Sequence, residues 1–386
     1  MYNPLRRVFL PAVIATLAAS LLAQPAPSPS LAFQRQQNLL HGINASPWIG
    51  QRLESDGLVH DYWQQNRAGR DIALIRAMGF NDIRLVMSPP RLLNVDRPGW
   101  LNPEYVAALK QTVQLAIAHH LSVILDMHGA PDWNRRVFAD PLQTKAFLAG
   151  WAALARIFAP VDPAHVFFEC LNEPELPSDD QWAGVQARLI ARLRQAAPEN
   201  TIIADAGHWS SPPDLLVMEP YSDNNVIYNF HFYDPHIFTH QGATWSSPWF
   251  KPERDIPFPL TPQSALAASR EPELVNDPHT RAALIRAGSL PWDATRIQQE
   301  IGAAAAWGTA HNVPLLCDEF GVYRNYSPPA SRYLWLRIVR QTLEDHHIGW
   351  AMWSYEGGFG VVWPAPNHQV RPDLKVLQAL GLHPHF

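Results

Sequence analysis

A chain of 386 residues, 47% of them hydrophobic, is long enough to bury either one barrel-sized core or two ordinary domains. A net charge of −5 with histidines neutral, and 30 basic residues scattered along the chain, exclude the electrostatic footprint of a nucleic-acid binder and favour a neutral or weakly charged partner. Two cysteines exclude a disulfide framework, while 15 tryptophans and 36 prolines imply stiff loops and some exposed aromatic contact surface.

The N-terminus reads as an export signal over residues 1–23. Arg6 and Arg7 supply the positive start, Val8 to Leu22 is an apolar run too short and proline-broken to span a bilayer, and Ala23 is a small cleavage-site residue. Arg6 to Leu10 also has twin-arginine character, although Pro11 follows where a polar or basic residue is usual, so both the Sec and Tat routes stay open. The Pro- and Ser-rich stretch that follows reads as a disordered leader over 24–34, ahead of one domain over 35–386. A secreted or periplasmic location follows, with no membrane contact after signal removal.

Eight short apolar runs then behave as buried strands, at 39–44, 82–87, 122–128, 166–173, 201–208, 226–233, 314–320 and 349–355. Helical patterns separate them. Asn102 caps a helix that has Pro103 at its first position and Val106, Leu109, Val113 and Ile117 on one face. Ser178 with Gln181 makes a capping box for another. Less distinct helices occupy about 66–78, 141–159, 293–311, 330–347 and 372–381. Strict alternation predicts an α/β fold, a single-domain (β/α)8 TIM barrel, with a long loop insertion after strand 6 from His236 to Trp292. A doubly wound open sheet is the alternative, but no glycine-rich phosphate loop follows the first strand. Cys170 and Cys317 lie in apolar runs and are expected buried and reduced rather than bridged.

The polar residues fall at strand ends: Arg84, Asp126 and His128, Asn172 and Glu173, His208, His231 and Tyr233, Asp318 and Glu319, Trp353 and Glu356. In a barrel all these ends converge, and a merely stable core would avoid burying so many polar groups. Glu173 and Glu319 each follow an obligatorily buried run, and two carboxylates facing one another across a cleft suit the acid and nucleophile of glycosidic cleavage. A metal-dependent barrel hydrolase using Asp126, His128, His208 and His231 is the competing chemistry, but no HxH or HExxH motif is present. No metal and no cofactor is expected.

At this point the chain resembles glycoside hydrolase family 5, on Asp82 to Val86 (DIRLV), Leu125 to Gly129 (LDMHG), Leu171 to Pro174 (LNEP), Asn229 to Pro235 (NFHFYDP), Asp318 to Gly321 (DEFG) and Ala351 to Tyr355 (AMWSY), which cover essentially the mature chain. The resemblance implies Glu173 as acid/base and Glu319 as nucleophile. It also implies that Arg84 and Tyr233 hold the nucleophile, Asn172 binds the sugar 2-hydroxyl, His128 and His231 line the subsite at the scissile bond, and Trp353 forms its floor. Trp48, with Trp209, Trp245 or Trp249, would extend the aromatic platform. Asp318 departs from the family, which often has a small residue before the nucleophile. The expected substrate is a β-linked polysaccharide, most simply a β-1,4-glucan cut internally by a monomeric enzyme. A β-mannanase, a xyloglucanase, an exo-β-1,3-glucanase and a non-catalytic carbohydrate-binding barrel are the alternatives.

Overall fold

The computed structural model describes residues 29–45, 67–175, 179–246, 250–270, 277–367 and 369–386. Strands β1 (His41–Asn44), β2 (Asp82–Met87), β3 (Ser122–Met127), β4 (Val166–Glu169), β5 (Ile202–Asp205), β6 (Val226–Phe232), β7 (Leu315–Phe320) and β8 (Gly349–Met352) pair in parallel, each with its sequence neighbour. Pairing of β8 with β1 closes the barrel and removes both edges. The strands are apolar on both faces because helices cover one side and the barrel interior the other. Those helices include Arg67–Ala77, Pro103–Ala118, Pro141–Phe158, Asp179–Ala196, Ala294–His311 and Pro329–Asp345, close to the expected ranges. The Asn102 side chain accepts from the Glu104 and Tyr105 amides, and Asp293 caps the helix Ala294–His311 by accepting from the Arg296 amide. Ser178 and its capping box lie outside the described residues.

The floor of the barrel is apolar. Ile124, Phe167, Ile203, Ile227 and Leu316 point inward and pack against Ala32 and Leu39. Ala32 belongs to a helix, Leu31–Gln36, that begins inside the stretch read as a disordered leader: Ser30 caps it, and Gln36 Nε2 donates to the Leu315 carbonyl at 2.6 Å. The folded part therefore starts before residue 35, because an open barrel end would leave those five side chains exposed to water.

Strands β4, β5 and β8 end sooner than the apolar runs suggested, at Glu169, Asp205 and Met352. Glu173 and His208 have left-handed backbones (φ 44° and 38°), which no ladder accommodates. Asn172, Glu173, His208 and Trp353 thus stand on loops just above the sheet. The segment after β6 is a structured subdomain rather than one long loop. It carries helices Pro262–Ala268 and Pro278–Ser289 and its own small core of Ile237, Ile256, Leu260, Ala265, Ala268 and Leu284. An antiparallel hairpin, β9 (Val362–Ala365) with β10 (Gln369–Pro372), follows β8. Cys170 and Cys317 are both buried and unbridged. No described helix is long and apolar enough to cross a membrane.

Candidate active site

Above the apolar floor the barrel interior turns polar. Gly42 on β1 makes room for this change, since a Cβ there would collide with the Asp82 carboxylate and the Ala351 methyl. One layer further, Arg84 is fully buried and every branch of its guanidinium is engaged. Nη1 donates to Glu319 Oε1 at 2.7 Å and to Asn44 Oδ1 at 2.9 Å, Nη2 to Asn172 Oδ1 at 2.9 Å, and the Nε and Nη2 fork to both oxygens of Glu169 at 2.6 and 2.5 Å. Asp126 lies 3.1 Å away and Asp318 3.6 Å. One cation cannot neutralise so many carboxylates in a medium this dry. Protons stay on some of them: burial first, then the Asp318 charge, drives Asp82 well above its usual range and Asp205 to about 8, while Glu169 rises through burial despite Arg84.

Glu319 closes this layer at the floor of the cleft. Tyr233 donates to its Oε2 at 2.9 Å while Arg84 holds Oε1, so both oxygens are fixed in place. Across from it, Glu173 Oε1 lies 3.0 Å from His231 Nδ1, and that same nitrogen is 3.7 Å from Glu319 Oε2. One oxygen of Glu173, one of Glu319 and a nitrogen of His231 all lie within 4.8 Å of one another. The backbone of Asn172 and Glu173 is gripped from below by Asn134, whose Nδ2 donates to both carbonyls at 3.0 and 3.1 Å. Asn134 in turn sits against Gly129, where a Cβ would strike it.

The proton in this pair belongs to the imidazole in the free enzyme. Burial alone would lower His231, but Glu319, Asp318 and Glu173 outweigh it and raise the ring well above 6.5. Burial pushes Glu173 up, and the hydrogen bond from His231, with the fields of His231, His128 and Arg84, overcomes it and holds Glu173 below 4.5. A lone desolvated Glu173 would keep its own proton, and the His231 contact is what takes it away.

The remaining expected residues assemble around this centre. His128 Nδ1 lies 2.7 Å from Asp126 Oδ2, and its ring stacks on Trp353 at 5.6 Å between centroids. Asp318 turns inward, 3.1 Å from His231 Nε2 but poorly aligned for a hydrogen bond. His208 stands at the rim 3.5 Å from Asp214, and Trp209 beside it is 54% exposed. Both line a cavity of about 260 Å³ with Glu173, His231 and Tyr233. Trp245 is 57% exposed but packs edge-on against Tyr323 at 4.7 Å. Trp48 and Trp249 lie outside the described residues. Asp126, His128, His208 and His231 do not converge as one metal-ligand set; among the described residues Glu173, His231 and Glu319 form the group that comes that close. Asn44, Asn134 and Glu169 are site residues that the strand-end pattern missed. The available signal for Glu169 was a lone acid inside the apolar run Val166 to Leu171.

Opposed carboxyls about 5 to 5.5 Å apart accompany retention of configuration, whereas inverting enzymes leave roughly 6.5 to 9.5 Å for a water. The fold and a carboxyl pair this close define the class: a barrel glycoside hydrolase of the retaining type. The chain belongs to the cellulase family, glycosyl hydrolase family 5, whose model matches residues 47–357. It is 25% identical to Endoglucanase C of Acetivibrio thermocellus over 321 residues, 82% of this chain and 90% of that one. It is also 25% identical to Endoglucanase 3 of Fibrobacter succinogenes, over 83% of this chain and 50% of that larger protein. Among solved structures, the endoglucanase Cel5A of Thermotoga maritima superposes with a TM-score of 0.71 at 22% identity, covering 90% of this chain and 99% of that one.

Proposed function

We propose that the protein is an endo-β-1,4-glucanase acting by double displacement, with Glu319 as nucleophile and Glu173 as acid/base. The observation that carries this reading is the approach of the two carboxylates within 4.8 Å, one of them clamped by Arg84 and Tyr233. Arg84 and Tyr233 aim one Glu319 oxygen at the anomeric carbon and stabilise the carboxylate until the glycosyl bond forms. Asn172 has its carbonyl oxygen committed to Arg84, which leaves its amide N–H free to donate to the 2-hydroxyl as the ring flattens toward an oxocarbenium ion. Asp126 holds His128 through Nδ1, so Nε2 is the nitrogen that meets the sugar, and Trp353 stacks beneath it. His231 and Glu173 act as one acid, holding a single proton across 3.0 Å until the leaving oxygen takes it from Glu173. When Glu319 becomes an ester its charge disappears, His231 loses its chief electrostatic support, and Glu173 is released to act as base on the incoming water.

The internal cut on a β-1,4-glucan is supported by the endoglucanase relatives and by the open, aromatic-lined cleft at Trp209. Carboxymethylcellulose viscosity should drop before glucose appears, and proton NMR of cleaved cellopentaose should show the β-anomer first. Release of glucose ahead of any viscosity loss, or the α-anomer as first product, would refute the reading. We further propose that residues 1–23 direct export; the check is N-terminal sequencing of the protein recovered outside the cytoplasm.

A further inference from the structure

The subdomain after β6 encloses a second cavity that the reaction at Glu173 and Glu319 does not use. Its volume is about 480 Å³, and it lies between the start of that subdomain and the helix Pro278–Ser289. Asp234 and His236 line both this cavity and the smaller one that contains Glu173 and Trp209, so the two adjoin on the acid side of the cleft. The leaving group of a retaining cleavage departs on that side, because the acid must reach its oxygen.

The lining matches a pyranose. Trp292 and Phe250 provide aromatic wall beside the small Ala283 and Ala287, and Glu253 is the fully buried member of a polar set that also includes Asp234, His236, His279 and Arg286. The Glu253 carboxyl is only 1% exposed, and its Oε2 has no hydrogen-bond partner. An unpartnered buried oxygen costs about 1–3 kcal/mol, which a hydroxyl bound in the cavity would offset. Burial, then the Asp277 charge, pushes Glu253 up to about 9, so near neutral pH it holds a proton and can both donate to and accept from a hydroxyl. Sugars bind where an aromatic face meets the ring's C–H face and a few polar groups meet its hydroxyl rim.

We propose that this cavity is a distal subsite for a glucosyl unit of the departing chain, with Trp292 as its stacking wall and Glu253 as its hydrogen-bonding group. The proposal rests on the endo-glucanase reading above. Three variants test it: Ala287→Trp fills the cavity, Glu253→Leu removes the polar group, and Glu253→Gln preserves a group that donates and accepts. The substrates are cellohexaose, long enough to reach the cavity, and 2,4-dinitrophenyl β-cellobioside, whose leaving group ends beside Glu173. Ala287→Trp and Glu253→Leu should lower kcat/KM on cellohexaose about 10-fold through KM. The aryl cellobioside should change less than twofold, and Glu253→Gln should stay near wild type on both. Undiminished cellohexaose cleavage by Ala287→Trp and Glu253→Leu overturns the subsite while leaving the glucanase reading intact. Equal losses on both substrates in Glu253→Leu also overturn it, because the defect is then one of folding or chemistry. A wild-type protein that cleaves neither substrate refutes the glucanase reading and the subsite together.

Discussion

At the scale of single residues, the chemistry depends on where one proton sits. His231 holds it in the free enzyme, and Glu173 is kept anionic by the same hydrogen bond. The loss of activity at high pH should then follow deprotonation of the pair at the raised imidazole value, above 6.5. His231→Gln leaves Glu173 as sole holder of the proton, so the basic limb of the kcat/KM profile should move to lower pH. A limb that stays put in this variant would show that the pair does not share its proton. Glu319→Gln should bind cello-oligosaccharides with near-normal affinity by calorimetry yet lose turnover by roughly 10⁴-fold or more. Asn134→Ala frees the backbone carbonyls beneath Glu173 and should lower kcat about 10-fold with KM little changed, since the binding groups stay in place. Glu173, Glu319, Arg84 and His231 were legible in sequence because each interrupts or ends an apolar run. Asn134 was not, because it sits in a helix on the loop side of β3 and its role exists only through contact with another loop.

At the scale of elements, the eight strands and their main helices were readable because a doubly covered parallel strand leaves a continuous apolar run and each amphipathic helix leaves a 3.6-residue period. The elements that escaped lack those marks. Leu31–Gln36 is six residues long and looks like an extension of the leader, and its packing partners lie on five strands distributed through the chain. The helices Pro262–Ala268 and Pro278–Ser289 sit in proline-rich sequence, and their shared core is assembled from both ends of the segment. Strand ends were overrun because apolar residues continue through Cys170 and Leu171 and through Ala206, beyond the ladder ends at Glu169 and Asp205, up to where the backbone turns left-handed at Glu173 and His208. The N-terminal plug gives a prediction of its own. Leu39→Ala opens a cavity in the barrel floor, far from the cleft, and should cost about 2–5 kcal/mol in denaturant unfolding. The kcat of the remaining folded enzyme should be unchanged at 25 °C. A variant as stable as wild type would mean that the floor packs without the plug.

At the scale of the whole molecule, the barrel interior divides its labour between an apolar floor that supplies stability and a polar layer that spends some of it to hold Glu319. Asp82, Glu169 and Asp205 lie deep in that layer with their carboxyls raised, and Glu253 stands apart in the subdomain in the same condition. Each binds a proton more tightly folded than unfolded. Their contribution to stability is therefore fully present below the unfolded values, near 4, and is lost as pH climbs through the folded ones. For Asp205 that window runs from 3.8 to about 8, and for Glu253 from 4.5 to about 9. His231, also raised, adds loss in the same direction, while Glu173, lowered, opposes it only below its ordinary value of 4.5. The Tm measured by calorimetry should thus fall steadily between about pH 5 and pH 9. Glu253→Gln replaces an acid that must ionise with a neutral isostere, so its Tm should match wild type near pH 5 and exceed it at pH 9. A wild-type Tm that rises across the same interval would show that these carboxyls are already ionised in the folded protein, with cations or water reaching a layer that its burial describes as dry.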